Sequence, residues 1–91
     1  MQVLHESGRF YIRAAGGDCE LKYKVEGKSI SIYHTFIPGK ERGKGLAEKL
    51  ATAAFEWATS KGLKVKPDCD YIKHFLEKHG EFSAIVAEAR S

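Results

Sequence analysis

Arg42-Gly43-Lys44-Gly45-Leu46-Ala47 is the stretch on which the reading of this 91-residue chain turns. Ahead of it, Ser29-Ile30-Ser31-Ile32-Tyr33-His34-Thr35-Phe36-Ile37 alternates like a strand and stops at Pro38-Gly39. Behind it, Ala47, Leu50, Ala51, Ala54, Phe55 and Ala58 recur at helical spacing. A glycine-rich turn between a strand and a helix leaves the first helical N–H groups without partners and aims them at one point. The helix dipole favours an anion there, and Lys40, Arg42, Lys44 and Lys49 add positive charge. With no side chains at Gly43 and Gly45, a phosphate can approach the backbone. The stretch reads as a phosphate cradle rather than a plain tight connection, because it lies inside a strand–helix–strand unit.

Outward from the cradle, the first third of the chain reads as antiparallel strands. Arg9-Phe10-Tyr11-Ile12-Arg13 is short and rich in strand formers. In Glu20-Leu21-Lys22-Tyr23-Lys24-Val25-Glu26, Leu21, Tyr23 and Val25 share one face and charges the other. Gly27 turns this strand into the Ser29–Ile37 strand as a hairpin, and Ile30, Ile32, His34 and Phe36 are expected on one face of the latter. The long helix is predicted from about Arg42 to Lys61, with Gly62 just past its end. Leu63-Lys64-Val65-Lys66 is a short strand ending at Pro67, and it closes a βαβ unit. Asp68 is expected to cap a second helix that buries Ile72, Phe75 and Leu76 and stops near Gly80. Phe82, Ile85, Val86 and Ala89 are spaced for a last short helix. The fold class is therefore α/β: one domain over residues 1–91, with a mixed, mostly antiparallel sheet and two or three helices.

Composition narrows the function. At 43% hydrophobic and 30% charged residues the chain is ordinary globular in type, and no apolar run approaches the roughly 18 residues of a membrane span. The N-terminus lacks a basic segment followed by an apolar one, so a cytoplasmic location is expected. The net charge of +3 is modest and spread out except at the glycine turn, which argues against a general nucleic-acid surface. Cys19 and Cys69 sit in no zinc-type spacing, so no metal is expected, and free thiols are.

Arg42-x-x-Gly45-x-Ala47 between a strand and a long amphipathic helix resembles the acetyl-CoA motif of the GCN5-related N-acetyltransferases, Gln/Arg-x-x-Gly-x-Gly/Ala. The wider run, from His34-Thr35-Phe36-Ile37-Pro38 to Pro67-Asp68-Cys69-Asp70-Tyr71, resembles the small members of that superfamily of about this length. The resemblance implies that backbone amides from Arg42 through Gly43, Lys44, Gly45 and Leu46 to Ala47 hold the cofactor pyrophosphate. It implies that the strand from Tyr33 to Ile37 pairs with the pantetheine arm, which adds Phe36 and Ile37 to the cofactor-binding set. Cys69 would lie close to the thioester. The chain departs from larger members before Ile37, where nothing suits the paired helices that wall the acceptor site.

Three residues are catalytic candidates. Cys69 follows Pro67-Asp68 at a helix start, where unpaired N–H groups favour a thiolate; Lys73 would add to that effect, and Asp68 and Asp70 oppose it. The plain alternative is a small buried hydrophobe, the reading preferred for Cys19. His34, on a strand expected to flank the cofactor, could take a proton from an amine or from Cys69, or be a core residue. Tyr71 lies where larger family members carry a tyrosine that protonates the departing CoA sulfur. His5, His74 and His79 receive no role, and Trp57 reads as flank packing. The resulting expectation is a small acetyl-CoA-dependent N-acetyltransferase acting on an unidentified amine, by direct attack or through Cys69. A non-catalytic module that binds or senses CoA or acetyl-CoA is the alternative, and a nucleic-acid domain using Lys40, Arg42 and Lys44 is a weaker third. A monomer or weak homodimer is expected.

Overall fold

The structure is a computed structural model that describes residues 2–86. Alternating sequence in the first forty residues forms a meander: β1 (Leu4–Glu6), β2 (Arg9–Ala14), β3 (Gly17–Glu26) and β4 (Ser29–Phe36), each antiparallel to its neighbour. A 3-10 turn (Gly39–Glu41) leads to α1 (Leu46–Lys61), and β5 (Lys64–Pro67) then pairs parallel to β4. The strand order is β1-β2-β3-β4-β5. α2 (Asp70–Lys78) follows, and a second 3-10 turn (Gly80–Ile85) brings Val86 alongside Val65. The mixed, mostly antiparallel sheet with its βαβ unit is the predicted α/β class; β1 lies in a stretch that carries too few alternating residues to be read as a strand.

α1 lies on one face of the sheet because Leu46, Leu50, Ala51, Ala54, Phe55 and Ala58 form one buried stripe. The alanines let the helix approach Ile12, Leu21, Ile30 and Ile32, all fully buried. α2 buries Ile72 and Phe75 on the same side, and Phe55 meets Phe75 and Phe82 at ring-centroid distances of 5.5 and 5.1 Å. Trp57 packs at the flank with His5, Phe10 and Tyr23.

Three boundary expectations are corrected. α1 starts at Leu46, not near Arg42, because Gly43 and Gly45 adopt φ of +81° and +76°, left-handed values that an α-helix cannot contain. Asp68 does not cap α2: Cys69 is the flanking residue, and the Asp68 carboxylate instead accepts a 2.5 Å hydrogen bond from the Ser31 hydroxyl. The third concerns the tail. Phe82 and Ile85 lie in a 3-10 turn, Val86 bridges to β5, and the remainder of the expected last helix, including Ala89, lies outside the described residues.

Candidate functional site

The site follows from an irregularity in β4. Its register on β3 runs Val25↔Ile30, Lys24↔Ser31, Tyr23↔Ile32, and then shifts to Lys22↔His34, Leu21↔Thr35, Glu20↔Phe36. Tyr33 is the extra residue, a β-bulge that turns the strand over by one position. Directly opposed residues share a face, so Thr35 joins buried Leu21 on the α1 side. His34 and Phe36 go to the opposite face with Lys22 and Glu20. The expected grouping of His34 and Phe36 with Ile30 and Ile32 is therefore corrected. The two side chains are 45% and 46% exposed, and the His34 ring lies 3.8 Å from the Glu20 carboxylate.

The bulge coincides with a split in the sheet. The parallel ladder ends at Ile32↔Pro67, while β4 continues to Phe36 and the segment after β5 turns away into α2. Beyond Ile32 the β5-side edge of β4 has no strand partner among the described residues, a row of amides and carbonyls open to an extended ligand. Across the split, Ser31 holds Asp68, and the Thr35 hydroxyl lies 3.4 Å from the Cys69 sulfur.

A cavity of about 360 Å³ opens from this split to the start of α1, lined by Thr35, Ile37, Glu41, Arg42, Gly43, Gly45, Leu46, Ala47, Glu48 and Tyr71. Among the described residues no side chain caps the N–H groups of the first turn of α1. An added Cβ at Gly43 or Gly45 would meet nothing within 4 Å, so the glycines are needed for their backbone angles and leave open space above the amides. Of the residues expected to bind cofactor, Ile37, Arg42, Gly43, Gly45, Leu46 and Ala47 line this cavity. Phe36 faces the other side of the sheet. Lys44 lines an adjoining groove and pairs with Glu41 at 3.0 Å. The Arg42 side chain donates to the Ile37 carbonyl at 3.2 Å.

Among the catalytic candidates, Tyr71 lines the cavity; Cys69 does not line it but lies 3.4 Å from the hydroxyl of Thr35, which does; His34 lies outside it. Burial, and then the negative charge of Glu48, push the Tyr71 phenol above its ordinary value, so it keeps its proton at neutral pH. Glu48 in turn pairs with His79, which is stacked on Phe75 at 4.3 Å. Cys19 is buried in the core and Cys69 half-buried, both free thiols. Thr35 and Glu41 are the functional candidates that sequence reasoning missed. The bulge that selects Thr35 over its neighbour has no local sequence signal, and Glu41 is one charge among several in its loop. Among the described residues no group of three or more His, Cys, Asp or Glu is placed to hold a metal ion, and no helix is long and apolar enough to cross a membrane.

This is an α/β protein with a cleft at a split parallel pair and an uncapped helix N-terminus at its mouth. A sequence profile described as GCN5-related N-acetyl-transferase matches residues 9–85. Protein NATD1 of Gallus gallus is 33% identical over 84 residues, a match covering 87% of this chain and 76% of that protein. Protein NATD1 of Bos taurus is 35% identical over 60 residues, covering 65% of this chain and 53% of its own length. The NMR solution structure of a GCN5-like protein from Staphylococcus aureus superimposes with a TM-score of 0.77 at 27% identity, covering 98% of this chain and 90% of that one. The chain belongs to the GCN5-related N-acetyltransferase family.

Proposed function

We propose that this protein takes the acetyl group from acetyl-CoA and passes it to an amine. The observation that carries the reading is an adjacency: one cavity runs from the amides at the start of α1 to Thr35 on β4, whose β5-side edge is unpaired beyond Ile32 among the described residues, and the Thr35 hydroxyl lies 3.4 Å from Cys69. The residues suit the ligand. Open backbone at Gly43 and Gly45 with the α1 dipole behind it favours a pyrophosphate, and the β4 edge offers amide partners to a pantetheine chain. When bound, the thioester supplies an activated acyl carbon.

The chain's own groups then have defined tasks. Arg42 lends positive charge beside the amides. Tyr71, protonated at neutral pH, can deliver a proton to the sulfur that departs. Cys69 can form a carbon–sulfur bond to the acetyl carbon while the original thioester bond breaks and a proton passes from the thiol to the departing sulfur, and later yield the acetyl group to an amine that loses a proton. Thr35 can donate its hydroxyl hydrogen to the Cys69 sulfur and hold it toward the cleft. Direct attack by a neutral amine uses the same cavity without the cysteine step.

A specific observation favours a second reading, a module that binds or senses CoA without turnover. The sheet face opposite α1 exposes Tyr33, His34 and Phe36, with no described helix packed over them to orient an acceptor.

Intact-protein mass spectrometry after incubation with acetyl-CoA separates these readings. One added acetyl group, absent in Cys69→Ala and discharged by amines, supports the two-step route. A native complex with turnover but no adduct supports direct transfer, and a complex without turnover supports the binding module. No complex at all overturns the proposal.

A further inference from the structure

Glu41 is 3% exposed, one of two buried polar or charged side chains among the described residues, and it lines the cavity mouth. A carboxylate beside an anion cradle opposes phosphate, and burying one costs free energy unless it is paired. Here it is paired twice. One oxygen accepts the Gly16 N–H at 2.9 Å, from the turn between β2 and β3, and the other accepts from Lys44 at 3.0 Å.

The remaining hydrogen bonds of residues 38–45, among the described residues, stay local: Glu41 N–H to Pro38, Arg42 N–H to Gly39, Arg42 side chain to Ile37, and Gly45 carbonyl to Lys49. Among the described residues, Glu41 alone carries a hydrogen bond from this loop to the β2–β3 turn of the sheet. The seat is tight, since a Cβ at Gly16 would come within 2.9 Å of the Glu41 carboxylate and 3.0 Å of the Lys40 Cβ. Lys44 from the loop and Cys19 from β3 are the titratable neighbours, and Asp18 also acts on Cys19.

We propose that Glu41 is a positioning residue whose carboxylate, bridging the Gly16 amide and the Lys44 ammonium, fixes the 38–45 loop in the shape that presents the α1 amides to phosphate. The proposal rests on the acetyl-CoA reading of the cradle. It also assigns Lys44 to shaping the loop, which leaves Arg42 as the cation on the cavity wall.

The test is titration of CoA into wild type, Glu41→Ala and Glu41→Gln by calorimetry, with ¹H–¹⁵N spectra to establish that each variant is folded. Glu41→Ala should weaken CoA binding roughly ten- to a hundredfold. Glu41→Gln should fall between, because its amide oxygen still accepts from Gly16 but no longer neutralises Lys44. Either folded variant binding CoA as well as wild type, or better, overturns the proposal, since the carboxylate would then act only as a repelling charge. A readout on wild type alone covers variants that do not fold. The Gly16 amide should exchange slowly, and its resonance should move with those of Gly43 and Gly45 as the carboxylate titrates below its ordinary range. A fast-exchanging Gly16 amide, or one that moves without the other two, overturns the proposal. If wild type fails to bind CoA, the cofactor reading falls, and the concerted Gly16, Gly43 and Gly45 shifts still decide whether Glu41 fixes the loop.

Discussion

The hydroxyl of Thr35 on β4 and the thiol of Cys69 at the start of α2 meet at 3.4 Å across the split in the sheet. They are 34 residues apart in sequence, and three structural facts bring them together. The ladder between β4 and β5 ends at Ile32 and Pro67, a bulge at Tyr33 turns Thr35 inward, and Asp68 is held by Ser31 just before Cys69. If acetyl transfer passes through Cys69, Thr35→Val should slow formation of the acetylated protein by about tenfold, the worth of one hydrogen bond. Cys69→Ala should abolish it. Quenched-flow mass spectrometry measures both, and an unchanged rate in Thr35→Val would remove the hydroxyl from the mechanism.

Tyr71→Phe keeps the ring that packs near Phe75 and removes only the phenol proton. If the phenol protonates the departing sulfur, turnover should drop on the order of a hundredfold or more with little change in acetyl-CoA affinity. Burial raises the phenol above its ordinary value of 10.0, so the wild-type rate should not fall on the alkaline side through Tyr71 until above that pH. A steady-state pH profile of both proteins checks the two statements together.

His5 stacks on Phe10 at 4.0 Å, bonds to the Tyr23 hydroxyl at 2.5 Å and presents its ring to Trp57 at 5.0 Å. Burial lowers its pKa from 6.5, so in that window the unfolded chain binds more protons than the folded one. The stability contributed by neutral His5 is thus present above pH 6.5 and lost as pH falls through the lower folded value. Trp57 is the sole tryptophan, and a protonated imidazole quenches indole emission. Fluorescence should decline on acidification with a midpoint below 6.5, and His5→Gln should erase that step.

Phe55 is fully buried between α1, α2 and the Phe82 turn. Phe55→Ala should cost about 3–5 kcal/mol, a large share of the roughly 5–15 kcal/mol expected of a small domain. Urea unfolding read at Trp57 should show the midpoint move sharply down. A shift corresponding to less than about 1 kcal/mol would mean that the aromatic cluster is not part of the cooperative core.

Much of the architecture is legible in the chain because it is periodic or punctuated. Leu21, Tyr23 and Val25 alternate, Leu50, Ala54, Phe55 and Ala58 repeat at helical spacing, and Gly27 and Gly62 mark ends; these local patterns survive as β3, α1 and their boundaries. The glycines of Arg42-Gly43-Lys44-Gly45 likewise announce a backbone that leaves space above the helix start. What the chain could not declare is which face each residue of β4 takes after Tyr33. Strand alternation has a period of two, so one extra residue exchanges inside for outside, and whether a residue is extra is decided by pairing with β3. That pairing sends His34 out and Thr35 in. The Glu41 tether is hidden for a related reason, since its partner Gly16 is 25 residues away and is brought near only when the β2–β3 turn folds against the loop. Sequence by itself determined β2 to β5, the body of α1 and the family, which depend on neighbours along the chain. Tertiary structure decided the site's inner wall, because register and long-range hydrogen bonds exist only between segments that have already met.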